Sequence, residues 1–339
     1  MAKKATITDV ARLANVSKST VSKYLNNTPY VSEKTKEKIR KAIEELDYSP
    51  NTFARGLVNK STKLIALVLS RIEMLNNYLL LTSIEEESNK YGFDIVFVTT
   101  RNDEQVEQSI NKILSERYKH VDGIILANIR DNGINLEELK RKFENIVLVH
   151  RHIPNDIVDY VTIDNYLGGK IVADYFLRMG HKSFAAISGP SEILPYRERI
   201  KGFTETLIKN GFQDSYSIIE GGQDLEAGYK AAEKIMLGDD PPTAVFATSD
   251  LLALGFLDAS KDYGWNIPNE VSLTGFDNVY VSRLARVPLT TVDGQFEDLG
   301  KKSVQLLVER MADKNKDLTQ IFLQPSLIVR GSCSNLNEE

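Results

Sequence analysis

From Thr6 to Asn26 the chain reads TITDVARLANVSKSTVSKYLN, a stretch that narrows the possible folds more than any other. Thr6 stands three residues ahead of Asp9, the spacing of a capping box in which hydroxyl and carboxylate serve the free amides of a first helical turn. Val10, Ala11, Leu13 and Ala14 supply the apolar side of a helix of only about two turns. Asn15 follows, and Asn accepts the left-handed backbone of a tight helix exit better than most residues. Ser17 can cap a second helix, whose Val21 and Leu25 face inward while Lys18, Ser19, Ser22 and Lys23 point outward. Two short helices, a tight turn and an outward polar and basic strip describe a helix-turn-helix, whose second helix enters the DNA major groove. The alternative is a plain helical hairpin with a solvated face. Ser32 shifts the balance, because it can cap a third helix carrying Ile39, Ala42, Ile43 and Leu46, enough to close a three-helix core.

Charge supports the head as a separate module. The 339 residues carry a net charge of −5, which taken whole would argue against nucleic acid. Residues 1–60, however, hold 12 Lys+Arg against 6 Asp+Glu, and the remainder 30 against 41. A basic head on an acidic body is the asymmetry expected of a DNA-binding module joined to something else. The single cysteine, Cys333, excludes an internal disulfide and a thiolate metal cluster. No apolar run approaches the roughly 18 residues a membrane helix needs, and no signal core follows Lys4, so a cytoplasmic protein is expected.

Beyond Leu64 the pattern alternates buried strands with amphipathic helices. Candidate strands are Leu64–Leu69, Asp94–Val98, Gly123–Ala127, Ile146–Val149 and Tyr160–Ile163. A second series runs Phe184–Ser188, Ser217–Ile219, Ala244–Thr248 and Val271–Thr274. Helical stretches between them include Val106–Leu114, Gly169–Leu177 and Ala231–Leu237. Such alternation argues for parallel sheets with helices on both faces, in two similar lobes, with ligands beyond the carboxyl ends of the strands.

The segments DVARLANVSKSTVSKYLN, VSEKTKEKIRKAIEELDYSPN and ARGL occur here in the order of the lactose/galactose-repressor (LacI/GalR) family of transcription regulators, which the chain resembles over nearly its whole length. The resemblance implies an all-α helix-turn-helix head plus a two-lobed α/β body of the periplasmic-binding-protein type I. The domains would be residues 1–49 for the head, 50–62 for a hinge helix and linker, and 63–334 for effector binding and dimerisation, with lobe crossings near Asp164, Thr291 and Pro325. The short polar tail has no leucine heptad, so a homodimer rather than a coiled-coil tetramer is expected. No cofactor is called for.

For DNA, Lys18 and Ser19 at the start of the second helix are the base-reading candidates. The resemblance assigns Ser17, Thr20, Asn26 and Ser32 to the phosphate or groove edge, and Thr6 and Ser22 are further DNA-binding candidates. Lys23 stands where the family usually has Arg, exchanging a two-pronged guanine fork for a flexible point charge. Asn51, Ala54 and Leu57 fall in the hinge helix, which at about two turns with Gly56 inside it should not be stable alone. Leu57 matches the wedge that pries open a minor-groove step.

In the body, Arg199 of YRERIKGF and Asp277 of TGFDN match a donor and an acceptor for vicinal sugar hydroxyls. Ser249 and Asp250 open a helix at the expected cleft, although Asp250 is equally readable as a helix cap. Asn76 and Asn77 stand where aromatic residues commonly line the first lobe, and Gln223 where an aromatic often stacks on ligand. Arg71 and the run His150-Arg151-His152 add cationic capacity, which would suit an acidic or phosphorylated sugar. His150 and His152 could share a face and bind metal, but no companion Cys or His motif supports that. The expected function is a DNA-binding transcription regulator, a repressor, whose operator affinity is modulated by a sugar or sugar derivative held between the lobes. A plain sugar-binding protein lacks a reason for the basic head. An enzyme is disfavoured because no G-x-S-x-G, H-E-x-x-H or nucleotide-binding glycine loop occurs.

Overall fold

The computed structural model describes residues 5–25, 31–48, 61–70, 77–100, 110, 114–128, 135–150 and 157–337. The expected hinge residues Asn51, Ala54 and Leu57, together with Asn26, Arg71, Asn76, Arg151 and His152, lie outside them. The chain divides into two compact units, Met1–Thr62 and Lys63–Glu339.

The first unit has helices α1 (Ile7–Leu13), α2 (Lys18–Leu25) and α3 (Glu33–Glu45). Asp9 Oδ2 accepts from both the Thr6 amide (3.0 Å) and the Thr6 hydroxyl (2.6 Å), so the first turn starts as the Thr6–Asp9 spacing predicts. Asn15 takes φ 54° at the turn. Val10, Ala11, Ala14, Val21, Ile39 and Ala42 are buried together. Leu13 departs from the expected apolar face and is 44% exposed, because Val10 and Ala14, one turn apart, already fill the contact with α3.

The second unit contains two six-stranded sheets. The first is built from β1 (Leu64–Ser70), β2 (Asp94–Thr100), β3 (Gly123–Ala127), β4 (Ile146–His150), β5 (Asp159–Ile163) and β11 (Gln320–Leu323), in the order β11-β5-β4-β3-β1-β2, all parallel. The second uses β6 (Phe184–Ser188), β7 (Tyr216–Glu220), β8 (Ala244–Ala247), β9 (Ser272–Asp277), β10 (Thr290–Asp293) and β12 (Leu327–Ile328), in the order β12-β10-β9-β8-β6-β7, with β12 antiparallel. Helices α4 (Asn77–Lys90), α5 (Leu136–Lys142) and α10 (Phe296–Ala312) belong to the first lobe. Helices α6 (Asn165–Arg178), α7 (Leu194–Lys209), α8 (Leu225–Met236) and α9 (Asp250–Asp262) belong to the second. Strands β10, β11 and β12 are absent from the alternation read in the sequence. The first has four residues behind Pro288, and the other two are short edge strands, only partly buried, that carry no buried apolar run.

The chain crosses between lobes after Ile163, after Asp293 and after Leu323. The third crossing is hydrogen-bonded to each of the other two. Asp164 N donates to Leu323 O (2.9 Å), Asp293 N donates to Ser326 O (2.8 Å), and the Gln295 side-chain amide donates to Gln324 O.

Helices α6 and α7 meet backbone to backbone. A Cβ at Gly169 would lie 1.9 Å from Arg199 O, and one at Gly202 would lie 1.9 Å from Tyr166 O. This contact seats the turn of α7 that carries Arg199. A Cβ has no rotamer to escape by, so Gly202→Ala forces the helices apart. It is expected to destabilise the body by about 1–3 kcal/mol, measured as a lower urea midpoint with far-ultraviolet circular dichroism unchanged at zero urea.

Candidate functional site

In the head, Ser17 Oγ accepts from Thr20 N (3.1 Å) and lies 2.7 Å from Ser19 Oγ and 2.8 Å from Thr20 Oγ1. Val21 is fully buried, which turns Lys18, Ser19 and Lys23 outward on one exposed strip, with Thr20 and Ser22 half-buried at its edge. Thr6 and Ser32 serve as caps. The Thr6 hydroxyl proton is committed to Asp9, and Ser32 accepts from Thr35 N.

In the body, polar side chains collect at the carboxyl ends of the strands of both lobes. In the second lobe Arg199 is only 2% exposed. Its Nε donates to Asn165 Oδ1 (2.9 Å), and one Nη donates to Thr248 O (2.6 Å) and lies 3.3 Å from Asp277 Oδ1. The guanidinium carbon sits 3.5 Å from the centre of the Phe276 ring, a contact that lets a desolvated cation rest on an aromatic face. The other terminal nitrogen makes no hydrogen bond to a described residue and remains as a donor. Asp277 leaves β9 with φ 108° and Asn278 follows at 55°. Such backbone is costly for residues with a Cβ and clusters at functional sites.

Gln223 is 5% exposed, between β7 and α8, and its Oε1 has no hydrogen-bond partner among the described residues. A buried acceptor left so costs about 1–3 kcal/mol, which a ligand hydroxyl or amide would recover. Ser249 is the cap of α9 and accepts from Leu252 N (3.3 Å).

In the first lobe Asn77, at the start of α4, accepts from Asn128 Nδ2 (2.5 Å), and Asn128 Oδ1 takes the proton of His150 Nδ1. All three are buried, and the His150 ring lies 4.9 Å from that of Phe296 at the second crossing. Asn128 and His150 have φ 58° and 69°. Sequence reasoning misses Asn128 and Asn165. Each directly follows a strand or a crossing, and strand-end position was the available signal.

Asp250 is not at the surface of the cleft and does not cap α9. It is fully buried, with Oδ1 accepting from Thr291 Oγ1 (2.6 Å) and Oδ2 from Val279 N (2.8 Å). This corrects both sequence-based readings of the residue. Ser249 supplies the cap, which frees the Asp250 side chain to turn inward.

Residues 6–51 match the bacterial regulatory proteins of the lacI family, and residues 173–333 a periplasmic binding protein-like domain. The HTH-type transcriptional regulator DegA of Bacillus subtilis (strain 168) is 35% identical over 338 residues, covering 98% of this chain and 99% of the relative. The chain belongs to the LacI family. Solved structures share its fold, among them the two that follow. The Lac repressor dimer bound to operator and the anti-inducer ONPF has TM-score 0.86 at 24% identity, covering 98% of this chain and 100% of that one. The complex of the regulator CelR with cellobiose has TM-score 0.72 at 28% identity, covering 97% and 99%. As a LacI-family member the chain is a DNA-binding transcription regulator and not an enzyme. Its head and two-lobed parallel-sheet body are the architecture that the sequence resemblance implied.

Burial, and after it the charge of Asp277, push the Asp250 pKa up to about 8. The folded chain therefore keeps this proton between about pH 4 and 8, where an unfolded chain has released it. The stability it contributes is complete below the ordinary carboxyl pKa and is lost as pH rises through the folded value. Asp250→Asn cannot titrate. The stability of the native chain relative to this variant is expected to fall between pH 5 and 8, by at most about 1.4 kcal/mol per pH unit, and to level off above 8. Urea melts across that range measure it.

Proposed function

We propose that this LacI-family regulator binds a pseudo-palindromic operator as a homodimer and acts as a repressor. A polyhydroxyl effector, a sugar or sugar derivative, would be held between its lobes and set the operator affinity. The observation that carries the effector reading is the buried Arg199–Asp277 pair at the strand ends of the second lobe. Donor and acceptor stand side by side with Arg199 already neutralised, an arrangement that suits vicinal hydroxyls better than an anion. That favours a neutral sugar over the phosphorylated one suggested by Arg71 and Arg151. Gln223 would supply an acceptor from the second lobe, and the Asn77–Asn128–His150 chain the opposing wall. The cellobiose in the CelR complex supports the same ligand class. A thermal-shift screen of neutral mono- and disaccharides, cellobiose among them, against the corresponding sugar phosphates tests this. Larger shifts for the phosphates would overturn it.

On DNA, Lys18 and Ser19 would reach base edges from the start of α2, with Ser17, Thr20, Ser22, Lys23 and Asn26 at the groove edge. Leu57 would wedge the minor groove between two hinge segments. The Lac repressor dimer on its operator supports the twofold arrangement, and one short reading helix per head requires it. Affinity for a selected operator is expected to fall on the order of 10³-fold or more between 50 and 200 mM salt for 6–10 phosphate contacts. Lys18→Ala should cost about 1–3 kcal/mol and relax specificity at one base position. A salt-independent Kd, or binding as a monomer, contradicts the reading.

An effector that contacts both lobes shifts their closure only by its differential affinity for the two states. Coupling of about 1–3 kcal/mol, a 5–150-fold change in operator affinity, is typical. Asp277→Ala is expected to abolish the effect of the sugar found in the screen on operator gel shifts, with DNA binding in its absence nearly unchanged. A variant that responds like the native chain would remove Asp277 from the ligand site.

A further inference from the structure

The turn that carries Asp277 is held from two sides. From one side comes Arg330, whose guanidinium donates to Asn278 Oδ1 (2.5 Å), Leu289 O (2.6 Å) and Ser282 Oγ (3.3 Å). From the other comes Asp250, reaching from the first turn of α9. Its Oδ2 takes the Val279 amide, two residues beyond Asp277, and its Oδ1 takes the Thr291 hydroxyl on the neighbouring β10. A Cβ at residue 275 would stand 2.2 Å from Asp250 Oδ1, so glycine there makes room for the carboxyl. Between the two holders Asp277 and Asn278 keep φ 108° and 55°, a conformation that persists only where the surroundings over-determine it.

We propose that Asp250 is a positioning residue of the effector site, whose buried carboxyl pins the exit of β9 and so keeps the Asp277 carboxylate against Arg199. The inference rests on the reading of Arg199 and Asp277 as ligand-binding groups. Without the carboxyl, the Val279 amide has no acceptor and the turn can relax out of its left-handed region, carrying Asp277 with it. The charged groups facing Asp250 are Asp277 on β9, with Arg199 of α7 behind it, and Arg330 beyond Asn278 and Ser282; Thr291, Val279 and Ser282 face it as neutral partners. Burial, and after it the neighbouring Asp277, favour the neutral carboxyl. It accepts from Val279 N with one oxygen and from the Thr291 hydroxyl with the other. Asparagine keeps a carbonyl toward Val279 N, and its amide can donate to Thr291 Oγ1 once that hydroxyl turns its proton to Val292 O (3.5 Å). Alanine offers neither.

Hydrogen–deuterium exchange on the full chain tests this without any effector. At pH 7, Asp250→Ala is expected to speed exchange of residues 277–282 and of the Gly294 amide, which donates to Asp277 O, by about tenfold or more. Asp250→Asn should stay within about threefold of the native rate, and β6 and α7 should be unaffected in both. Unchanged exchange at 277–282 in Asp250→Ala would overturn the proposal, as would acceleration spread evenly over the second lobe, the mark of an ordinary core residue. Should Asp250→Ala fail to fold, Thr291→Val decides, since it removes only one partner of the carboxyl. Faster exchange confined to 277–282 supports the proposal, and an unchanged profile overturns it. The two readings fail separately. Loosening of 277–282 combined with a normal sugar response in Asp277→Ala removes the ligand assignment and keeps the pin, while the reverse pair of results removes the pin alone.

Discussion

A guanidinium taken out of water must be matched by fixed partners, and the second lobe is built around meeting that demand for Arg199. Its four partners come from three places in the chain: Asn165 just past the first crossing, Thr248 at the end of β8, and Asp277 with the adjacent Phe276 ring at the end of β9. Removing a partner from such a buried ion would leave an uncompensated charge, worth roughly 3–5 kcal/mol in comparable cases. The same pair is what a ligand would meet. On the proposed reading, structural necessity and recognition share one set of atoms, and none of Asn165, Thr248 and Asp277 can be moved without disturbing the site.

The strained backbone fits this account. Asn128, His150, Asp277, Asn278 and Gln295 all take positive φ, and every one of them stands at the end of a strand or at a crossing. Strand interiors are fixed by the apolar clusters on both faces of each sheet, which tolerate no local deviation. The ends are free to bend, and there the chain spends conformational energy to set the polar side chains of these turns against fixed partners.

Much of this was legible before any coordinates. Two buried-strand series announced the lobes because a strand covered on both faces reads as an unbroken apolar run, as in GIILA and FAAIS. The helix-turn-helix was legible because caps and turns depend on local residues such as Thr6, Asp9, Asn15 and Ser17. Edge strands β11 and β12 were not, since an edge needs no apolar run. Nor was the role of Asp250. Position along a helix marks a carboxylate as a cap or a cleft group with equal ease, and only the distant Thr291 and Val279, brought close by the fold, show what the side chain holds. Asn128 escaped for a related reason. Its partners, Asn77 and His150, come from α4 and β4, and no spacing within the sequence links the three.

The laced crossings have a mechanical consequence. Three segments running side by side between two rigid bodies, each bonded to the next at Asp164–Leu323, Asp293–Ser326 and Gln295–Gln324, behave as a ribbon. Such a band resists the sliding of one segment past another and bends most easily across its flat. A rocking of the lobes across the flat of the band therefore moves all three segments together, so that a change of angle at one crossing is carried to the other two.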